Sequence, residues 1–210
     1  MTKKTDSNTK DKILQAGIKL MLTKGFNATS VDEMCDEAGV TKGSFFHYFE
    51  SKEELAKEAV NQFSLAQMQH FEAGPYNNLP DPLERLYGYL DFMIEGIKNS
   101  QTTLSCLIGN LTQELSQTHA EIRSVCHQNF SWHNQRLQNI IDDAVKAHPP
   151  QSEIDSASIA KYINATIQGS LILGKAAQNN LLMVENLEHA KKYLKTLFPE
   201  KEYQDNSPQV

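Results

Sequence analysis

Cysteine is scarce in this chain, arginine is missing from its first 60 residues, and no run of about 18 apolar residues occurs anywhere. Each absence excludes something. The three cysteines, Cys35, Cys106 and Cys126, are an odd number without CxxC spacing, which supports neither a disulfide framework nor a cysteine zinc site. Without a long apolar run no membrane span is expected. The first residues, MTKKTDSNTKDK, lack the apolar stretch of a signal peptide, so a cytoplasmic location is expected. No G-x-S-x-G elbow, phosphate loop or dinucleotide fingerprint is found, which argues against an enzyme and against a cofactor. His127 and His133 are six residues apart and fall on different helical faces, no HxxxH pair exists, and no metal site is expected. A basic surplus is missing too: residues 1–60 hold nine lysines against ten acidic residues, and the whole chain carries a formal charge of −6.

What remains is ordinary globular composition, 210 residues with 40% apolar and 22% charged side chains. The patterning is helical throughout and nothing reads as a strand. From Thr9 to Lys24 the apolar positions Ile13, Leu14, Ile18 and Met21 recur at helical spacing behind a polar arm, residues 1–8. Ser51, with Glu54 three residues on, starts a helix running toward Phe71. Two proline clusters, Pro75 and Pro80-Asp81-Pro82, then break the chain. Later helices are expected at about 83–99, 102–117, 119–147, 153–179 and 185–198.

Residues 29–55 carry the most specific pattern. Val31, Met34, Cys35 and Ala38 stand at i, i+3, i+4, i+7, with Ser30 and Glu33 forming a capping box. Gly39 suits the left-handed residue that closes such a helix. Thr41 caps a second helix on which Phe45 and Phe49 pack inward. This is the outline of a helix-turn-helix, whose second helix enters the major groove. Thr41, Lys42, Gly43, Ser44, His47 and Tyr48 are then expected to meet bases and nearby phosphates, with Ser30 and Lys52 holding the DNA backbone. The lysines are few, so each subunit makes few phosphate contacts and useful affinity calls for a dimer.

The run AGVTKGSFFHYFESKEEL, preceded by KILQAGIKLMLTKGFNATSV, resembles the helix-turn-helix signature of the TetR/AcrR family of bacterial transcriptional regulators. The resemblance covers roughly the first quarter of the chain. It departs at Phe46, where the pattern G-x-x-Y has a tyrosine whose hydroxyl commonly reaches a phosphate. The resemblance implies an all-α fold: a three-helix DNA-binding domain (1–52 with its arm), a helical effector-binding and dimerisation domain (53–200) and a polar tail (201–210). It also implies a homodimeric repressor of double-stranded operator DNA, paired through residues about 153–198. That segment holds the small residues Ala157, Ala160, Ala165, Gly169 and Gly174 beside Ile159, Ile163 and Ile167.

Two forms of signal are open. Cys106, in TTLSCLIGNLTQEL, resembles the sensor cysteine of the thiol- and electrophile-sensing, NemR-like branch, and Lys175, in SLILGKAAQ, is the cation that would ionise it. Against this, a cysteine among Leu104, Leu107, Ile108 and Leu111 is equally a small core residue, and Lys175 reads as a solvated lysine on a mostly apolar helix. The other form is a reversible apolar ligand, since Phe63, Phe71, Phe92 and Met93 exceed the needs of a minimal core, with Tyr87, Phe130 and Trp132 expected as pocket walls.

Overall fold

The computed structural model describes residues 3–198, with side chains from residue 8 onward. Its helices are α1 (Lys3–Lys24), α2 (Val31–Ala38), α3 (Lys42–Tyr48), α4 (Lys52–Glu72), α5 (Pro82–Lys98), α6 (Leu107–Leu115), α7 (Ala120–Ala147), α8 (Ser156–Ala177) and α9 (Leu181–Leu197), with a 3-10 turn at Pro75–Asn78. Among the described residues there is no strand, and the fold is all-helical. None of these helices is long and apolar enough to cross a membrane.

Local signals set the first four boundaries. The Ser30 hydroxyl accepts from the Glu33 amide while the Glu33 carboxylate accepts from the Ser30 amide, closing the capping box. Gly39 sits at φ 67° and ends α2 by donating to the carbonyls of Cys35 and Asp36. Thr41 caps α3 through the Ser44 amide, and Ser51 caps α4 through the Glu54 amide.

Other boundaries move. Helix α1 begins at Lys3, so most of the expected arm is helical; Met1, Thr2 and the tail 201–210 lie outside the described residues. The helix expected over 102–117 begins only after Cys106. Before it, the Leu104 amide donates to the Asn180 side-chain carbonyl at 3.1 Å and the Asn180 amide donates to the Thr102 carbonyl at 2.8 Å. A partner 76 residues away thus holds the segment extended. Helix α9 starts a turn early, at Leu181.

Two cores result. The first gathers Ile13, Met21, Met34, Phe45, Phe49 and Leu55, and continues without a break into Leu107, Leu111 and Leu115 of α6 and Ile122 of α7. The second joins Phe71, Leu86, Tyr89 and Leu90 to Ile141, Ile163 and Leu187. Helix α4 enters the first core at Leu55 and the second at Phe71. Each fully buried Leu or Ile contributes on the order of 1.5–3 kcal/mol, so α6 is fastened to the N-terminal helices through a core that they share.

Candidate DNA interface and effector cavity

The solvent face of α3 is formed by Lys42, Gly43, Phe46 and His47, while Phe45 and Phe49 are fully buried beneath it. Phe46 exposes 51% of its surface and meets Phe45 edge-on at 5.2 Å. His47 stands edge-on to Tyr48 at 4.7 Å. Tyr48 is half-buried against the first core, so part of its ring belongs to packing and less of it faces outward than the sequence spacing suggests. Ser44 is half-buried, and its hydroxyl is 3.1 Å from that of Thr41.

Much of the positive charge of this region is already paired. Lys42 lies 2.9 Å from Asp32, Lys10 2.7 Å from Glu58, Lys19 2.5 Å from Glu37, and Lys24 against Glu33. Lys57 bridges Glu54 and Glu121. Exposed pairs of this kind are worth about 0–1 kcal/mol, so a DNA phosphate can take Lys42 from Asp32 at small cost.

Two expected phosphate ligands are otherwise engaged. The Lys52 ammonium donates to the carbonyls of Phe26 at 3.0 Å and Thr29 at 2.9 Å and lies 4.0 Å over the Phe26 ring. It braces the α1–α2 loop, so a DNA phosphate would have to compete with these carbonyls for the Lys52 ammonium. The exposed Ser30 hydroxyl is committed to Glu33 at both donor and acceptor.

The other side of the same loop is held by a residue that sequence reasoning missed. Glu114, near the end of α6, accepts the Phe26 and Asn27 amides, each at 3.0 Å. Gly25 (φ +87°) admits this contact, since a Cβ there would stand 2.4 Å from a Glu114 oxygen. An acid set between Leu111 and Leu115, at the edge of an apolar stripe, was the available signal.

The other end of α6 borders two cavities. The larger, about 450 Å³, is walled by Phe63, Phe71, Phe92, Met93, Phe130 and Trp132 among others. Tyr87 lines neither cavity; it packs on the second core with Lys195 5.8 Å from its ring centroid, because its position on α5 is out of phase with Phe92, Met93 and Gly96. At the wall, Tyr89 and His133 meet at 3.4 Å, a contact across 44 residues with no local signal. Burial, and then the nearby Arg136 charge, push the His133 ring down to about 4. Arg136 donates to the Tyr76 hydroxyl at 2.9 Å, while its buried Nη1 has no partner.

The smaller cavity, about 290 Å³, brings Cys106 and Lys175 into one wall, with Ser105, Asn110, Gln113 and Gln168. Cys106 lines both cavities and caps α6, accepting from the Gly109 amide at 3.5 Å. Burial pushes its thiol up, more strongly than the Gly109 amide and Gln168 pull it down. The resting thiol is therefore protonated and a slow nucleophile. Cys35 and Cys126 are fully buried, their thiols likewise raised by burial.

Residues 13–59 match the family model described as bacterial regulatory proteins, tetR family, and residues 82–190 match the tetracyclin repressor-like C-terminal domain. An HTH-type transcriptional regulator in the lacX 3′ region of Lactococcus lactis subsp. lactis is 31% identical over 88% of this chain and 92% of its own. The HTH-type transcriptional repressor NemR of Escherichia coli K12 is 28% identical over 59% of this chain and 62% of its own. The crystal structure of reduced E. coli NemR superposes with a TM-score of 0.77 at 23% identity, covering 92% of this chain and 99% of that one.

Proposed function

From the premise that this chain belongs to the TetR family of bacterial regulatory proteins, and so is a DNA-binding transcriptional regulator, we propose that it acts as a homodimeric cytoplasmic repressor released from its operator by a small effector in the larger cavity. One observation carries the regulatory half. Helix α6 begins just after Cys106, its N-cap in the walls of both cavities, and near its far end carries Glu114, which holds the loop leading into the reading helices. A ligand that shifts the start of α6 therefore moves the loop and, with it, the setting of α2 and α3. Such a ligand favours release only by binding the released setting more tightly. Helix α4, shared by both cores, moves with them.

DNA reading is assigned to the exposed face of α3. Lys42 exchanges Asp32 for a phosphate, and Thr41, Gly43, Ser44 and His47 approach the groove, with the outer edge of Tyr48. Pairing of two chains through residues about 153–198 is supported by Tyr162, Leu173, Leu181 and Tyr193, which are large, apolar and 42–57% exposed.

A second reading is favoured by the position of Cys106 alone: any electrophile entering either cavity meets this thiol, and Lys175 shares its wall. Fluorescence anisotropy on the upstream intergenic DNA decides. Binding that is tight and salt-sensitive, and that survives a thiol-selective electrophile, supports the reversible effector. Loss of binding that Cys106→Ser prevents supports covalent sensing. Unchanged binding by Lys42→Ala with Tyr48→Ala removes the DNA-reading assignment.

A further inference from the structure

We propose that the effector is an amphiphilic carboxylate, its apolar body in the larger cavity and its carboxylate on Lys175 in the smaller one. This rests on reading the cavities as the effector site, and it adds the chemical class. Four residues, Ser105, Cys106, Gln168 and Leu171, line both cavities, so one molecule passing Cys106 occupies both. The two lobes differ in character. The larger is mainly rings and aliphatic chains with no Asp, Glu, Lys or Arg in its wall. In the smaller, the amides of Asn110, Gln113 and Gln168 surround a single charged group, Lys175, and no carboxylate lines it.

On α8, Gln168, Leu171, Ile172 and Lys175 stand at i, i+3, i+4, i+7, one face of the helix turned to this cavity. Lys175 is half-buried, and its ammonium has no hydrogen-bond or ion-pair partner among the described residues. The contrast with Lys10, Lys19, Lys24, Lys42 and Lys57, each set against a carboxylate, is direct. A cation in a cavity wall without a counter-charge repels ligand amines and gains nothing from a hydrocarbon. From a carboxylate it gains a charge-assisted bond, strengthened where water is sparse. His133, held neutral at physiological pH, does not compete for the anion.

Trp132, the single tryptophan of the chain, lines the larger cavity, so its emission reports occupancy without operator DNA. The intact protein is titrated with decanoate and decylammonium below their micellar concentrations and with decan-1-ol below its solubility limit. Decanoate should bind about tenfold or more tightly than decan-1-ol, and decylammonium least. Lys175→Gln should erase the advantage of decanoate and leave decan-1-ol unchanged, while Lys175→Arg keeps it. If decan-1-ol equals decanoate, or Lys175→Gln weakens both alike, the carboxylate assignment falls and the effector-cavity reading stands. If no probe alters Trp132 emission or operator binding, both fall.

Discussion

Around residues 25–60 the polar groups that folding brings inward find partners within the chain, whereas the cavity region leaves some open. In the reading head the loop amides go to Glu114, the loop carbonyls to Lys52, and the helix ends to Ser30, Thr41 and Ser51. Behind it stand an orphaned Arg136 nitrogen, an uncompensated Lys175 and a space of about 450 Å³. A reading head must present one geometry to DNA, and saturation enforces it. A sensing domain must accept a ligand, and its open valences are what a ligand can fill.

The sharpest test of this contrast is a pair of truncations. Phe45→Ala, at a fully buried site against Phe49, should cost about 3–5 kcal/mol in urea unfolding. Phe130→Ala, whose half-buried ring already borders empty space, should cost less than about half of that. Equal costs would mean that the cavity is as tightly packed as the head.

Next in size is a pH effect confined to the body. In the unfolded chain His133 titrates near 6.5 and in the folded protein near 4, so between these values the unfolded state holds a proton that the folded state refuses. Its contribution is present above pH 6.5 and lost as the pH falls toward 4, by up to about 3 kcal/mol. His133→Gln should flatten that part of the urea-midpoint profile. An unchanged profile would show the ring to be wetter than its burial implies.

Glu114→Ala tests the link between the regions. Leaving the Phe26 and Asn27 amides without their acceptor should cost about 1–3 kcal/mol of stability. The ratio of operator affinities without and with effector should also shrink toward one. A lower stability with an undiminished ratio would remove α6 as transmitter and leave α4.

How far the sequence foretold all this follows from separation along the chain. The capping box, the Gly39 turn and the Thr41 and Ser51 caps are complete within four residues, and the pattern displays them. The inward Phe45 and Phe49 follow from helical phase alone. Lys52 reads as a phosphate ligand because it flanks the reading helix, and only the folded loop reveals two carbonyls 23 and 26 residues away as its partners. The Glu114 clamp spans 87 and 88 residues, and the delayed start of α6 depends on Asn180. Tyr87 lies outside both cavities for a related reason: periodicity says which residues share a helical face, not which neighbour that face meets.

The smallest expected effect concerns two glycines of the reading unit that look alike in sequence. Gly39 needs its left-handed backbone, so Gly39→Ala is strained although nothing lies within 4 Å of the added carbon. Gly43 has no such need: it is helical, and a Cβ there meets only the Thr41 hydroxyl, at 3.7 Å. Within the isolated protein Gly43→Ala should therefore stabilise α3, by up to about 1 kcal/mol. If α3 enters the groove by its first turn, the same methyl stands between the helix backbone and the duplex, and operator affinity falls while stability rises. These opposite signs, read by urea unfolding and by anisotropy on one variant, separate DNA contact from folding. A rise in stability with no loss of affinity would move the contact along the helix to Phe46 and His47, the exposed rings that follow.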